Sequence, residues 1–258
     1  IMAWYVLLQN KNANQLPANG CLIKTIVTTE LQAQIAKEFQ IKTFNTLTGF
    51  KFIGGLIRKF EIEKASGKKS YEYIFGGEES YGYLPSPIVR DKDGVMSIGL
   101  AAEIATYAKE NNKTLVDILN HIYADYGLYQ EDLISITLKG KDGLEKMNLM
   151  MNQLRLNPPH SLNDQEVVVI KDYLSGEIKD AKRTVIEKID LPSSNVLEFN
   201  LRDGTRVTAR PSGTEPKIKF YFSVNIKTSV ADVDKNTSLL KDKLNSLKKE
   251  FEKLVAGF

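Results

Sequence analysis

The stretch CLIKTIVTTELQAQIAKEF, residues 21–39, places a short apolar run directly before an amphipathic one. Residues 21–27 have the length and apolar content of a buried strand, and apolar residues then recur at helical spacing over 31–39. Thr29 and Gln32 have the spacing of a capping box, which predicts that the helix begins here. A buried strand followed by a helix is the repeating unit of a layered α/β domain.

The same alternation of strand and helix continues along the first half of the chain. Further strands are predicted near 43–45 and at 71–75, and apolar residues at helical spacing predict helices over 52–60, 96–107 and 115–123. We therefore expect parallel pairing, because strands that are separated by helices rejoin one sheet through crossover connections.

The second half of the chain has a different pattern. Alternating segments follow one another without intervening helices, Asp203-Gly204 has the composition of a hairpin turn, and an apolar helical stripe runs over 240–254. The patterns together predict the α/β class. We expect a layered mixed α/β domain over residues 1–156, a linker at 157–164, and a smaller α+β domain over 165–258 with an antiparallel sheet and a C-terminal helix.

The composition excludes several functional classes. The 258 residues are 42% hydrophobic and 26% charged, which is typical of a soluble globular protein, and a net charge of +3 is too small to favour a nucleic-acid partner. No run of about 18 apolar residues occurs, so we expect no membrane partner. The single cysteine, Cys21, rules out a disulfide framework and favours a cytoplasmic location, and two histidines argue against a zinc site.

The loop RPSGTEPK, residues 210–217, concentrates anion-binding groups between two prolines. Arg210 offers a charged fork that fits phosphate oxygens, Ser212 and Thr214 offer hydroxyl donors, and Gly213 lets the backbone approach a ligand closely. The prolines reduce the freedom of the loop before any ligand arrives. A polar hairpin loop without a ligand has a similar composition, so residue types alone leave both interpretations open.

The segment GGEESYGY, residues 76–83, places two carboxylates directly after a predicted buried strand. Ligands of open α/β sheets bind beyond the carboxyl ends of the strands, and Glu78, Glu79 and Ser80 can hydrogen-bond sugar hydroxyls there. A metal site would need a third ligand, and none follows at suitable spacing. The alternative is an acidic turn in solvent.

Two further segments carry basic residues. In TGFK, residues 48–51, Thr48 is predicted to cap a helix, and Lys51 would then lie near the helix N-terminus, where it can assist an anion. Arg90 and Lys92 alternate with aspartates in VRDKDG, residues 89–94, which is also the composition of an ordinary charged turn.

Four stretches, TLTGFKFIG, GGEESYGY, VRDKDGV and RPSGTEPKIKFY, occur together and in this order. The set resembles the α-D-phosphohexomutases, the phosphoglucomutase/phosphomannomutase family, over nearly the whole chain. The resemblance implies that residues 1–156 form the third, sugar-binding domain of four, with the tail of domain 2 at its start, and that 165–258 form the fourth, phosphate-binding domain.

The resemblance also implies roles for individual residues. In the family, the Gly-Glu-Glu-Ser loop contacts sugar hydroxyls and the Arg-Pro-Ser-Gly-Thr-Glu-Pro loop holds the phosphate that is not transferred. By that match the sugar ligands are Glu78, Ser80 and Glu79, the phosphate ligands are Arg210, Ser212, Gly213 and Thr214, and the residues near the cleft are Lys51, Arg90 and Lys92.

Two motifs of the family do not occur in this sequence. They are the phosphoserine loop of domain 1, which is similar to Thr-Ala-Ser-His-Asn-Pro, and the Asp-Gly-Asp-x-Asp-Arg loop of domain 2, which binds Mg²⁺. We therefore expect the chain to be a fragment that binds hexose phosphate without catalysing its conversion. By the resemblance, domains 1 and 2 of the same polypeptide are its partners, Mg²⁺ is held by domain 2, and hexose 1,6-bisphosphate is the intermediate and activator.

Several alternatives remain open on the sequence alone. The chain could be a sugar-phosphate-binding module without a catalytic parent, or a weakly basic module that binds nucleic acid through its lysine-rich C-terminal helix. The Gly-Glu-Glu-Ser form of the loop is closer to that of glucose-directed mutases by family analogy, yet mannose phosphate and pentose phosphate stay possible substrates.

Overall fold

A computed structural model of the chain describes residues 1–138, 142–213 and 215–257. These residues form two compact units. The first unit contains Ile1–Leu128 and Lys227–Val233, and the second contains Tyr129–Ile226 and the chain from Asp234 onward.

In the first unit, helices and strands alternate. In chain order its elements are α1 (Met2–Asn12), β1 (Gly20–Thr25), α2 (Leu31–Glu38), β2 (Lys42–Thr46), α3 (Phe50–Ala65), β3 (Glu72–Glu78), β4 (Gly82–Leu84), α4 (Gly94–Glu110) and α5 (Leu115–Tyr126).

The described strands of the first unit form a sheet in the order β2-β1-β3-β4. β1 pairs in parallel with β2 and with β3, which confirms the predicted parallel pairing, and only β4 runs antiparallel, beside β3. β1 is fully buried, and Ile23 on it packs with Ile53 and Ile57 of α3. The carboxyl ends of β1, β2 and β3 therefore meet at one edge of the sheet.

β3 extends further than the predicted strand and includes both glycines and Glu78. A Cβ atom on Gly76 would lie 2.4 Å from the backbone oxygen of Ile23 on β1, so only glycine allows this close approach. The strand can therefore continue until its last residue, Glu78, stands at the carboxyl edge of the sheet.

The helix cap predicted from the sequence is present at one helix start and absent at another. Thr114 and Asp117 form the predicted capping box at the start of α5. The capping box predicted for α2 from Thr29 and Gln32 is wrong, because α2 begins at Leu31 after Glu30. The Thr29 hydroxyl accepts from the Leu31 N–H at 3.3 Å, and the Gln32 side-chain oxygen has no hydrogen-bond partner among the described residues. Glu30 instead pairs with a buried lysine of β1, as described below.

In the second unit, strands predominate. Its elements are β5 (Leu128–Thr137), α6 (Gly143–Leu156), β6 (Ser161–Leu162), β7 (Gln165–Asp172), β8 (Glu177–Asp180), β9 (Val185–Lys188), β10 (Leu197–Leu201), β11 (Arg206–Pro211), β12 (Lys217–Ile226) and α7 (Val233–Ala256), of which the first residues of β5 and α7 fall in the first unit.

The described strands of the second unit form a sheet in the order β5-β12-β11-β10-β7-β8-β9, with β6 beside β7. In this spatial order, every neighbouring pair from β12 to β9 is antiparallel. The C-terminal helix packs on this sheet. The ring of Phe251 on α7 lies 5.0 Å from that of Phe220 and 5.7 Å from that of Phe222, centroid to centroid. The predicted fold class, an α/β domain followed by an antiparallel sheet with a C-terminal helix, is confirmed.

The two compact units divide at Leu128 and Tyr129, upstream of the segment 157–164 that the sequence analysis treats as a linker. β5 belongs to the sheet of the second unit because it lies beside β12, and α6 packs against β11 and β12. Within 157–164, the short strand Ser161–Leu162 pairs with β7.

Candidate functional site

A cluster of polar groups stands at the carboxyl edge of the first sheet. The Glu78 carboxylate accepts a hydrogen bond from the backbone N–H of Gly49, in the loop after β2. The Glu79 Oε2 atom accepts one from Thr25 Oγ1, at the end of β1, at 3.2 Å. We call Thr25, Gly49, Glu78 and Glu79 the strand-end cluster. It joins the segments that follow three neighbouring parallel strands.

The bond from Gly49 to Glu78 also determines how α3 begins. Gly49 is the residue before the helix and has a φ of +118°, and its N–H is one of the groups that a helix start leaves without an intrahelical partner. Glu78 supplies the acceptor, and its negative charge suits the positive end of the helix dipole. The prediction that Thr48 caps this helix is wrong, since the cap comes from a carboxylate 29 residues further along the chain.

The strand-end cluster keeps acceptor groups available. Glu79 and Ser80 are exposed, and Glu78 is half-buried. Within residues 1–138, 142–213 and 215–257, the second oxygen of each carboxylate and the Ser80 hydroxyl have no protein partner. Two carboxylates that are each anchored by one oxygen can accept hydrogen bonds from hydroxyl groups of a ligand with the other.

The three basic residues predicted near the cleft have different surroundings. Lys51 lies in the first turn of α3, and the Lys92 ammonium lies 5.1 Å from the centroid of the Phe50 ring, which starts the same helix. Arg90 is engaged elsewhere, because its guanidinium donates to Glu61 on α3 and to the Pro87 carbonyl. The structure therefore places Lys51 and Lys92 at the start of α3 and gives Arg90 a structural ion pair.

The two aspartates of VRDKDG do not form a metal site. Asp93 caps α4 by accepting a hydrogen bond from the Met96 N–H at 2.9 Å. The backbone N–H of Lys92 lowers the pKa of the Asp91 carboxyl, and the Lys92 ammonium at 3.3 Å adds to this effect. No group of three or more His, Cys, Asp or Glu residues that could hold a metal ion occurs in the part of the chain that the structure describes.

The second polar site is the hairpin between β11 and β12. Arg210 and Lys219 are register partners across the antiparallel pair, and two residues further along each strand the Ser212 N–H donates to the Lys217 carbonyl at 2.7 Å. These side chains line a cavity of about 220 Å³, whose lining residues are Arg210, Ser212, Glu215, Lys217 and Lys219. We call these five residues the basic hairpin.

The turn of the basic hairpin is held by one of its own groups and by the residue that follows β5. Ser212 Oγ accepts from the backbone N–H of Glu215 at 3.3 Å, and the Pro216 carbonyl accepts from the Leu138 N–H at 2.8 Å. A Cβ atom on Gly213 would meet nothing within 4 Å, so the backbone is open to an approaching ligand there. Thr214, the remaining predicted phosphate ligand, lies outside the described residues.

The basic hairpin carries three positive side chains, Arg210, Lys217 and Lys219, against the single carboxylate of Glu215. On the same face of the sheet the Lys171 ammonium lies 2.8 Å from the carboxylate of Glu198, which is 1% exposed. Among the described residues, neither Arg210 nor Lys219 has a comparable acidic partner. Lys217 and Lys219 were not among the predicted phosphate ligands, although their alternation in KIKFY places them on the face of Arg210.

None of the helices in the described part of the chain has the length and apolar content that crossing a membrane requires.

The two units of this fold match two domains of one known protein family. Residues 1–126 match the profile of the phosphoglucomutase/phosphomannomutase alpha/beta/alpha domain III, and residues 165–237 match that of the C-terminal domain of the same family. The chain therefore belongs to the phosphoglucomutase/phosphomannomutase family.

Curated relatives agree with this assignment. The chain is 38% identical over 203 residues to the phosphoglucomutase of Staphylococcus aureus (strain bovine RF122 / ET3-1), a match that covers 79% of this chain and 35% of that protein. It is 35% identical over 206 residues to the phosphoglucomutase of Staphylococcus saprophyticus subsp. saprophyticus, covering 80% of this chain and 36% of the relative. The matched region thus spans about a third of the length of these relatives.

A solved structure has the same fold. The open form of pp63/parafusin (phosphoglucomutase) from Paramecium aligns with a TM-score of 0.54 over 96% of this chain and 41% of its own. The sequence identity is 19%, so this likeness supports the fold alone.

Proposed function

We propose that this chain is the substrate-binding half of a phosphohexomutase, an intramolecular phosphotransferase that interconverts hexose 1-phosphate and hexose 6-phosphate. In this proposal the basic hairpin holds the phosphate that is not transferred, through Arg210, Ser212, Gly213 and Thr214. Glu78, Glu79 and Ser80 hold the sugar hydroxyls, with Lys51 and Lys92 near the start of α3.

The observation that carries the proposal is the unbalanced charge of the basic hairpin. Side chains directly opposite in an antiparallel pair have Cβ atoms about 5 Å apart, and like charges there are destabilising. Arg210 and Lys219 occupy such positions, and Lys217 follows on the same face. A bound phosphate group would neutralise these charges, and Arg210 can pair with two of its oxygens at once.

The strand-end cluster supplies the complementary groups for the sugar. Ionised carboxylates only accept hydrogen bonds, so they suit the hydroxyl donors of a hexose ring. Glu78 and Glu79 are each held by one oxygen before a ligand arrives, which lowers the entropy lost on binding. The contribution of this chain to catalysis is then positioning of the sugar and of the distal phosphate.

The transfer step would use groups outside this sequence. A phosphoserine of domain 1 would give its phosphoryl group to the free hydroxyl of a hexose monophosphate, and the resulting hexose 1,6-bisphosphate would return its other phosphoryl group to the serine after reorienting. The described residues do not fit a Mg²⁺ site, since Asp91 and Asp93 are engaged with Lys92 and with the α4 N-terminus. In this proposal domain 2 of the same polypeptide would bind Mg²⁺.

Isothermal titration calorimetry of the 258-residue chain with glucose 1-phosphate tests the proposal. We expect Arg210→Ala to weaken binding by roughly 1.5–3 kcal/mol, since it removes charge-assisted hydrogen bonds. Arg210→Lys should weaken binding less, because lysine keeps the charge but loses the planar fork. Mannose 1-phosphate and ribose 1-phosphate, titrated in parallel, would show which sugar the strand-end cluster prefers.

Arg202→Ala is the matched control. Arg202 is an exposed arginine of the same unit that pairs with Glu166, away from the basic hairpin, so its loss should leave the affinity for glucose 1-phosphate unchanged. Equal affinities for wild type, Arg210→Ala and Arg210→Lys would contradict the phosphate assignment.

A further inference from the structure

We infer that Thr25 is a positioning residue that fixes the Glu79 carboxylate for hydrogen bonding to the sugar. The inference rests on the proposed function and deepens it, because it assigns a role to a residue at the end of β1 that lies outside the four family-like stretches of the sequence. Thr25 is fully buried, whereas Glu79 is exposed. The buried Thr25 hydroxyl therefore has a fixed position, and it holds the exposed Glu79 carboxylate.

The hydrogen bonds around Thr25 have a defined direction. Thr25 Oγ1 lies 3.2 Å from Glu79 Oε2 and 2.8 Å from Thr28 Oγ1. An ionised carboxylate cannot donate, so the single hydroxyl proton of Thr25 goes to Glu79. Thr28 must then donate to Thr25, which gives a chain from Thr28 through Thr25 to Glu79. Each hydroxyl uses its one proton in this arrangement.

A backbone hydrogen bond and the Lys24 ammonium hold the turn that carries these hydroxyls. The Thr28 N–H donates to the Thr25 carbonyl at 3.1 Å. The fully buried Lys24 ammonium donates to the Thr28 carbonyl at 3.0 Å and to Glu30 at 2.7 Å. A buried ammonium with such partners is costly to displace, so the turn keeps one geometry. Thr25 therefore presents its proton to Glu79 from a rigid base.

The anchoring of Glu79 by Thr25 should affect binding of the sugar and not binding of the phosphate. An exposed glutamate loses side-chain entropy when it binds a ligand, and anchoring one oxygen in advance reduces that loss. The Oε1 atom of Glu79 then remains as the acceptor for a ring hydroxyl. Removing the Thr25 hydroxyl should lower the affinity for a hexose phosphate and leave the affinity for inorganic phosphate, which the basic hairpin binds, unchanged.

The chain offers a matched control for this substitution. Thr46 on β2 is the register partner of Thr25 and is 3% exposed, and its hydroxyl has no hydrogen-bond partner among the described residues. Thr25→Val and Thr46→Val make the same change at neighbouring buried positions of one sheet. Only the first removes a bond to Glu79. Thr25→Ser keeps the hydroxyl and serves as the rescue variant.

The test is calorimetric titration of the 258-residue chain with glucose 1-phosphate and, separately, with inorganic phosphate. We expect Thr25→Val to weaken glucose 1-phosphate binding about 3- to 10-fold, the effect of one lost hydrogen bond, without changing phosphate binding. The affinities of Thr25→Ser and Thr46→Val for both ligands should stay within about twofold of the wild-type affinities. Urea unfolding of each variant records any loss of stability separately.

Several outcomes would overturn the inference. Equal glucose 1-phosphate affinities for wild type and Thr25→Val would do so, as would an equal loss for both ligands. If Thr25→Val fails to fold, Glu79→Ala decides, because it alters only an exposed side chain, and unchanged glucose 1-phosphate binding in that variant removes the group that Thr25 would position. A wild-type chain that binds glucose 1-phosphate no more tightly than inorganic phosphate would instead contradict the sugar-binding part of the proposed function.

Discussion

Arg210 and Lys219 face each other across two paired strands although both are positively charged. On the same face of the sheet, the charge of Lys171 is neutralised by Glu198, which is buried beside it. The Lys171–Glu198 pair shows that this face accommodates a balanced pair, whereas the Arg210–Lys219 pair costs roughly 0.2–1 kcal/mol in the absence of an anion. Such a cost, on a sheet face that also carries the balanced Lys171–Glu198 pair, is the expected mark of a binding site.

The substitution Lys219→Gln should therefore stabilise the empty chain and weaken its ligand binding. Without phosphate, we expect the free energy of unfolding to rise by about 0.2–1 kcal/mol, because a repulsion is relieved. Binding of glucose 1-phosphate should weaken by about 1.5–3 kcal/mol, because one charge-assisted hydrogen bond is lost. Urea unfolding in a phosphate-free buffer measures the first effect, and calorimetric titration measures the second.

Lys241→Gln is the control for this pair of measurements. Lys241 is an exposed lysine of α7 outside the basic hairpin, so its loss should change neither quantity appreciably. A Lys219→Gln protein that is less stable than wild type would contradict the repulsion between Arg210 and Lys219. Unchanged binding of glucose 1-phosphate would show that Lys219 takes no part in the site.

At the scale of single elements, the helix caps separate what the sequence could predict from what it could not. The capping box of α5 joins Thr114 and Asp117, which are three residues apart, and was predictable from local spacing. The acceptor at the start of α3 is Glu78, which folding brings back from 29 residues away. A local pattern contains no information on such a partner, so the sequence pointed to a nearby residue, Thr48.

Two glycines, one before α3 and one within it, provide a test of this helix start. Gly49 precedes the helix with a φ of +118°, a conformation that other residues adopt only with strain, so Gly49→Ala should lower the free energy of unfolding by about 1–3 kcal/mol. Gly55 lies on the exposed side of the same helix with open space around it, so Gly55→Ala should raise the free energy by about 0.5–1 kcal/mol. Urea unfolding of both variants beside wild type gives the comparison.

The two glycine variants also differ in what they should do to the strand-end cluster. Gly49→Ala disturbs the N–H that holds Glu78, so it should weaken glucose 1-phosphate binding as well as stability. Gly55→Ala lies away from this contact and should leave binding unchanged. If Gly49→Ala were as stable as Gly55→Ala, the helix start would not depend on a glycine, and the described cap would lose its support.

For the whole molecule, local patterns indicated a parallel sheet with helices and an antiparallel sheet. They contain less information on the residue at which the two compact units divide. The alternation of strands and helices predicted the parallel sheet, because each β-α unit is short and complete within the sequence. The position of β5 depends on its pairing with β12, which lies about eighty residues further along the chain. This long-range pairing, with the packing of α6 against β11 and β12, shows that β5 and α6 belong with the second sheet.

The largest-scale prediction is that the 258-residue chain binds a hexose phosphate and does not interconvert it. Positioning the sugar and one phosphate can be done with the strand-end cluster and the basic hairpin, but transfer also needs a phosphorylated nucleophile. The sequence contains neither the phosphoserine motif nor the aspartate-rich motif of the family. We expect no conversion of glucose 1-phosphate to glucose 6-phosphate by the purified chain, even with glucose 1,6-bisphosphate added, in a coupled dehydrogenase assay. A full-length staphylococcal phosphoglucomutase is the positive control. Turnover that persists in the pure chain and disappears in Arg210→Ala would place the transfer chemistry within these 258 residues and overturn the division of roles proposed for it.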